Sequence, residues 1–159
     1  MTVNSKGVQG RRDLTFRTLD DIVADAERLA ASRNPATLGN WPLAQLLSHL
    51  AMTFNGSIDG FESKAPWLIR LIGPLIKGRF INAKKMSPGI KLPKAAEAAA
   101  FPEGASVQES LESLRRAVAR TKTERMEAPH PAFGKMTHDE WVLLQLRHSE
   151  MHLSFALPD

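Results

Sequence analysis

Two histidines, His148 and His152, stand four residues apart in Arg147-His148-Ser149-Glu150-Met151-His152, close to the end of the chain. On a helix such a pair shares one face with Cβ atoms roughly 5–6 Å apart, near enough for both rings to hold one metal ion. The chain has no cysteine. Thiol nucleophiles, disulfides and thiolate metal sites are therefore excluded, and any metal must be held by histidine, carboxylate and water. Three histidines drawn from two helices would leave coordination positions open for water or substrate, as a reactive rather than a closed structural site requires. His49 is the best third candidate. The zincin pattern is excluded because Ser149, not a glutamate, follows the first histidine. His130 and His138 fall in a loop and a first helical turn and are expected to stabilise a turn or face solvent.

The helix that carries the pair is opened by Thr137-His138-Asp139-Glu140, a capping box. At about 100° per residue, and with Trp141 at 0°, His148 falls at about −20° and His152 at about +20°. On the same wheel Phe155 lies at about −40°, Leu144 at about −60° and Gln145 at about +40°. Both imidazoles thus sit in the middle of the apolar stripe, where an unpaired polar group costs on the order of 1–3 kcal/mol. A shared cation would satisfy both at once. Glu150, at about 180°, is expected to face solvent and stay out of the site.

The remaining elements must bring His49 to that stripe. Residues 1–13 lack periodicity and are expected to form a flexible leader or a tail pinned on the surface, ahead of a single domain over 14–159. Thr18 caps a first helix, with Asp20 and Asp21 in its first turn and Leu19, Ile22, Val23, Ala26, Leu29 and Ala30 along one stripe, ending at Asn34-Pro35. Asn40 is expected to cap a second helix, with Trp41 and Pro42 in its first turn and Leu43, Leu46, Leu47, Leu50 and Phe54 along its apolar side, as far as Gly56 or Gly60. His49 lies on the flank of that stripe. Taken alone, it reads as a partly buried histidine with one hydrogen bond.

The apolar run Pro66 to Ile76 is interrupted by Gly73-Pro74, which predicts a short broken helix in the core. Prolines and glycines between Asn82 and Ala105 predict a long irregular crossover. Ser106-Val107-Gln108-Glu109 is a capping box opening a helix that continues through Val107, Leu111, Leu114 and Val118 to about Arg125. The expected fold is all-α, a four-helix bundle with extra short helices, a long crossover loop and no sheet. Trp41, Leu46, Leu50, Phe54, Leu111, Leu114, Val118, Trp141 and Leu144 are the expected core.

The formal charge of the 159 residues is +4, but the excess is local. Glu62 and Glu97 bracket Lys64, Arg70, Lys77, Arg79, Lys84, Lys85, Lys91 and Lys94 with no acid between them, and the rest of the chain is net acidic. This segment reads as a solvated basic surface; the sharper reading is attraction of an anionic cosubstrate. No nucleic-acid motif accompanies the charge, and no run reaches the roughly 18 apolar residues of a spanning helix. Arg11-Arg12 is followed by Asp13-Leu14-Thr15-Phe16-Arg17, not by an apolar stretch. The expectation is a soluble, cytoplasmic protein that binds neither nucleic acid nor membrane.

Arg11-Arg12-Asp13-Leu14-Thr15-Phe16, the stretch Trp41-Pro42-Leu43-Ala44-Gln45-Leu46-Leu47-Ser48-His49-Leu50, and His130-Pro131-Ala132-Phe133-Gly134-Lys135-Met136-Thr137 with Glu140-Trp141 and His148 to His152 together resemble the DinB-like superfamily of metal-binding four-helix bundles, in its bacterial branch of unknown function. The resemblance covers most of the chain. It implies an up-down-down-up bundle, often a homodimer, whose histidine triad at His49, His148 and His152 holds a divalent metal ion, zinc or nickel foremost. It also implies metal-dependent chemistry on a low-molecular-weight thiol such as bacillithiol, mycothiol or glutathione. Lacking cysteine, this chain would take the thiol as a cosubstrate, as a thiol transferase, or activate a water, as a hydrolase. Met151 departs from the branch, which often has a further histidine there; at i−1 it points about 100° away from His152, so its change touches the surroundings of the site and not its ligands. The alternative is a non-enzymatic binding or stress-response module on the same fold. No catalytic residue is assigned.

Overall fold

The computed structural model describes residues 3–62, 64–89, 101 and 103–159. Among them are five helices: α1 (Leu19–Ala31), α2 (Leu43–Asp59), α3 (Trp67–Ile81), α4 (Val107–Arg120) and α5 (His138–Leu153). The fold is a helical bundle. α1 and α2 each pack against α4 and α5, while α3 lies on α5. Three helix starts are set by local chemistry. Thr18, Ser106 and Thr137 each accept at the side chain from the backbone N–H three residues on, and Asp21, Glu109 and Glu140 return the bond to the cap. Ile22, Leu29, Leu46, Leu47, Leu50, Phe54, Leu114, Val118 and Trp141 are fully buried where these helices meet. Of the expected core, only Trp41 is merely half-buried.

Several expectations are corrected. Asn40 does not cap α2: Pro42 occupies that position without a side-chain bond, and Asn40 instead accepts from Val3 N at 2.6 Å and donates to Val3 O at 3.0 Å. The far end of α2 is as expected: it runs to Asp59 and stops at Gly60, whose φ of 98° ends the helix at little steric cost. α4 ends at Arg120 rather than near Arg125. A sheet is present, in its smallest form: Ala36–Thr37 pairs antiparallel with Ala156–Leu157. Two-residue strands are too short to show an alternating pattern in sequence.

α3 is neither broken nor a core helix. It passes through Pro74 from Trp67 to Ile81, although an interior proline removes one hydrogen bond and costs about 3 kcal/mol. Contacts beyond the proline hold its second half in register. Lys77 Nζ donates to Lys135 O at 3.1 Å and meets the Glu140 carboxylate at 2.7 Å, and Phe80 packs on Phe133 with ring centroids 5.4 Å apart. Gly73 is seated so closely that a Cβ there would stand 1.9 Å from Ala132 O. Half of the crossover expected from Asn82 to Ala105, residues 90–100 and 102 with Lys91 and Lys94, lies outside the described residues.

The chain ahead of α1 is tied to the end of α5. Arg12 N donates to Ser154 O at 3.0 Å, and its guanidinium reaches both Asp25 carboxylate oxygens (2.8 and 2.7 Å), Ala156 O (2.6 Å) and Leu153 O (2.9 Å). Asp25 is buried. A buried carboxylate needs such a partner, and the planar fork of arginine supplies two parallel bonds.

Candidate metal centre

α2 and α5 run past one another with the three predicted histidines facing across the seam. Nε2 of His148 is 3.2 Å from Nε2 of His49 and 3.0 Å from Nε2 of His152, and ligand atoms of the three all lie within 4.8 Å of one another. The rings meet edge-on, with interplanar angles of 66°, 64° and 86°. Their nitrogen edges therefore converge rather than their π faces. His49 and His152 are buried and His148 is half-buried.

Burial lowers the basicity of His148 well below the ordinary imidazole value, and the nearby His49 and His130 lower it further. His152 is lowered likewise, first by burial and then by His148, His49 and Arg11. Both rings are thus neutral at pH 7. A neutral imidazole has one N–H and one lone pair in its plane. Nε2 of His148 therefore has a single lone pair or a single N–H to divide between two close ring nitrogens, a weak arrangement for hydrogen bonds alone. One cation meeting three lone pairs removes that conflict. With metal–nitrogen bonds of about 2.0–2.1 Å, adjacent nitrogens stand about 2.9 Å apart in an octahedral shell and about 3.4 Å apart in a tetrahedral one. The observed 3.0 and 3.2 Å fall between. The three histidines can form a metal site.

The other two histidines stay outside it: His130 holds its own turn, and His138 ties the first turn of α5 to a residue twelve positions earlier. His130 Nδ1 accepts from Ala132 N and Phe133 N, both at 3.1 Å, and His138 Nδ1 accepts from Met126 N at 3.0 Å.

The family model described as "Protein of unknown function (DUF1569)" matches residues 8–159. The chain belongs to that family. No curated protein and no solved structure matches it.

Several residues that shape the site in this DUF1569 chain were not foreseen. Phe101, the one described residue between 90 and 102, is buried and stacks on His49 with centroids 4.2 Å apart. Trp41 stacks on the other side of Phe101 at 3.8 Å, and Gln45 Nε2 holds Phe101 O at 3.2 Å. Nothing in the spacing of Phe101 marks it, because its position depends on the crossover. Gln145 did carry a signal, its place on the buried stripe. Its amide meets Thr53 Oγ1 at 3.2 Å, one turn from the His49–His148 contact, and one amide end has no protein partner among the described residues. Ser149 Oγ is also buried without one.

Glu150 contradicts its expected exposure. It is buried, accepts from Phe16 N at 2.7 Å and pairs with Arg147. It lies on the side of α5 opposite the histidines, and the chain ahead of α1 covers that side. Arg11 lies over the Phe155 ring at 4.2 Å and donates to Ser154 Oγ and Met151 O. With Arg12, Lys85, Glu150 and Met151 it lines a hollow of about 330 Å³ beside the end of α5. Of the basic segment, Lys77 and Lys85 are paired to Glu140 and Asp13, while Lys64 and Arg70 line a second hollow of about 450 Å³ with Phe61 and His130. Among the described residues no helix is long and apolar enough to cross a membrane.

Proposed function

We propose that this DUF1569 protein is a DinB-like metalloprotein that binds one divalent ion, zinc or nickel, through His49, His148 and His152, and that the ion serves an enzymatic reaction on a small thiol cosubstrate or a water. The approach of Nε2 of His49 and of His152 to Nε2 of His148, whose single lone pair or N–H would have to be divided between them, carries this reading. Such an ion would supply a lowered pKa to a bound thiol or water, so that an anionic nucleophile is available near neutral pH.

The chain's own residues prepare that chemistry. His148 and His152, already deprotonated by burial, present lone pairs without first releasing protons. Phe101 and Trp41 shield the face of His49 from water. The open end of the Gln145 amide offers a hydrogen bond within the same seam. Three protein ligands leave positions for an exchangeable group, as reactive sites require.

Elemental analysis of protein purified without an affinity tag should find close to one equivalent of a divalent metal, lost in His148→Ala and in His49→Ala. Unchanged stoichiometry in those variants would sink the assignment. Thiol transfer or hydrolysis abolished by a chelator and restored by metal supports the enzymatic part. Its absence from folded, metal-loaded protein leaves a non-enzymatic binding module.

A further inference from the structure

The link from α2 to α3 lies along the 129–134 turn, and together they wall the hollow of about 450 Å³. That wall is fixed at several points. Ala65 N donates to Pro131 O at 3.3 Å, and His130 and Gly134 exchange backbone bonds of 2.7 and 3.0 Å. Gly73 of α3 is seated on Ala132 O. Gly60 and Gly134 turn the chain at φ of 98° and 71°, a region that favours glycine. Phe61, Pro129 and Pro131 supply apolar surface. A preformed hollow of this size, with apolar walls and a few polar groups, is the ordinary form of a small-molecule site.

The charged groups that line it, Lys64 and Arg70, are both cations. Lys77 and Lys85 of the same basic segment are paired to Glu140 and Asp13, whereas Lys64 and Arg70 meet no carboxylate among the described residues. His130 adds a third donor. Its Nδ1 accepts from Ala132 N and Phe133 N, so the neutral ring carries its proton on Nε2, and that N–H meets no acceptor among the described residues. We propose that this hollow binds a small organic carboxylate, its apolar body against Phe61, Pro129 and Pro131 and its oxygens held by Arg70, Lys64 and the Nε2–H of His130. The planar fork of arginine takes both oxygens of a carboxylate in parallel. A phosphate monoester is the competing anion. Phosphate sites draw on runs of unspent backbone N–H groups; here those of Gly60, Arg70, His130 and Gly134 already bond carbonyl oxygens, and Pro129 and Pro131 have none. This recognition calls on none of His49, His148 and His152, so it stands apart from the metal reading.

Benzoate is titrated into the full chain and followed by heteronuclear NMR, with a chelator present so that no ion at the histidine cluster takes the carboxylate. Saturable amide shifts are expected at Gly60, Phe61, Arg70, His130 and Gly134. Arg70→Ala should raise the benzoate Kd by about tenfold or more, and Arg70→Lys should recover only part of that, because an ammonium keeps the charge and loses the fork. Both variants should fold as wild type, since Arg70 is exposed and its guanidinium has no partner among the described residues. Lys84→Ala, at an exposed cation outside the hollow, should leave the Kd unchanged. Benzamide, the same body without the charge, should bind about tenfold more weakly or worse. No saturable shift at tens of millimolar benzoate overturns the proposal, as does a Kd unmoved by Arg70→Ala or benzamide binding as tight as benzoate. Phenyl phosphate binding more tightly than benzoate through the same residues also overturns it and assigns the hollow to phosphate monoesters.

Discussion

Acid should destabilise this protein through His130, and the size of the effect follows from its contacts. Nδ1 of His130 accepts two backbone N–H bonds, from Ala132 and Phe133, so the neutral ring must carry its proton on Nε2. A second proton would have to go on Nδ1 and cancel both bonds. The ring also stacks on Phe133 at 4.4 Å and packs near Trp141 at 5.4 Å, and burial lowers its pKa from 6.5 to about 4. Between those values the unfolded chain binds more protons than the folded one, so stability falls as pH falls. Above pH 6.5 the group contributes nothing; below about 4 the whole penalty is present. At about 1.4 kcal/mol per unit, reduced for the partial exposure of the ring, the loss amounts to about 2–3 kcal/mol.

The perturbation is His130→Asn, whose side-chain oxygen can still accept from the two N–H groups but does not titrate. Urea unfolding followed by tryptophan fluorescence, at pH 7 and pH 4.5 with a chelator present, measures both proteins while the histidine cluster contributes equally to each. The variant should be less stable at pH 7, having lost the ring contacts, yet should lose about 2 kcal/mol less than wild type on acidification. Parallel stability–pH curves for the two proteins would refute the reasoning, whatever their vertical offset.

Two further substitutions test the frame around the site. Gly73→Ala forces a Cβ onto Ala132 O, a backbone atom that cannot swing aside; a cost of about 1–3 kcal/mol, with faster amide exchange across α3 and unchanged metal content, is expected in denaturant and exchange measurements. Arg12→Ala leaves buried Asp25 with Arg28 alone and should cost about 3 kcal/mol. Arg12→Lys should restore little of it, because an ammonium cannot make the paired contact. A thermal shift near zero for Arg12→Ala would show that the segment ahead of α1 is not anchored there.

What the sequence disclosed and what it withheld divide by the range of the interaction. The caps at Thr18, Ser106 and Thr137 were legible because donor and acceptor are three residues apart. His148 and His152 were legible because a helix fixes their relation, and His49 because it flanks a leucine stripe at the right period. The bonds that escaped are remote: Phe16 to Glu150 spans 134 residues and Asn40 to Val3 spans 37. Asn40 satisfies every local rule for a cap, but Val3 offers it two bonds where a cap would make one.

α3 shows the same limit with the opposite sign. Its Gly73-Pro74 pair carries a genuine local cost, and its leucines and isoleucines carry a genuine demand for burial, so a broken core helix was the sound local reading. The fold overrides the first by anchoring Lys77 and Phe80 on the far side of the proline. It leaves the second unmet, with Leu75 84% exposed. Hydrophobic periodicity states that a face must be covered and is silent about what covers it. For the face of α5 that bears the histidines, the covering element is α2, and the result is a closed cluster of nitrogens. For Glu150 it is the chain ahead of α1. For α3 no described element of the same chain fills the role, and Leu68, Leu71, Ile72 and Leu75 stay exposed.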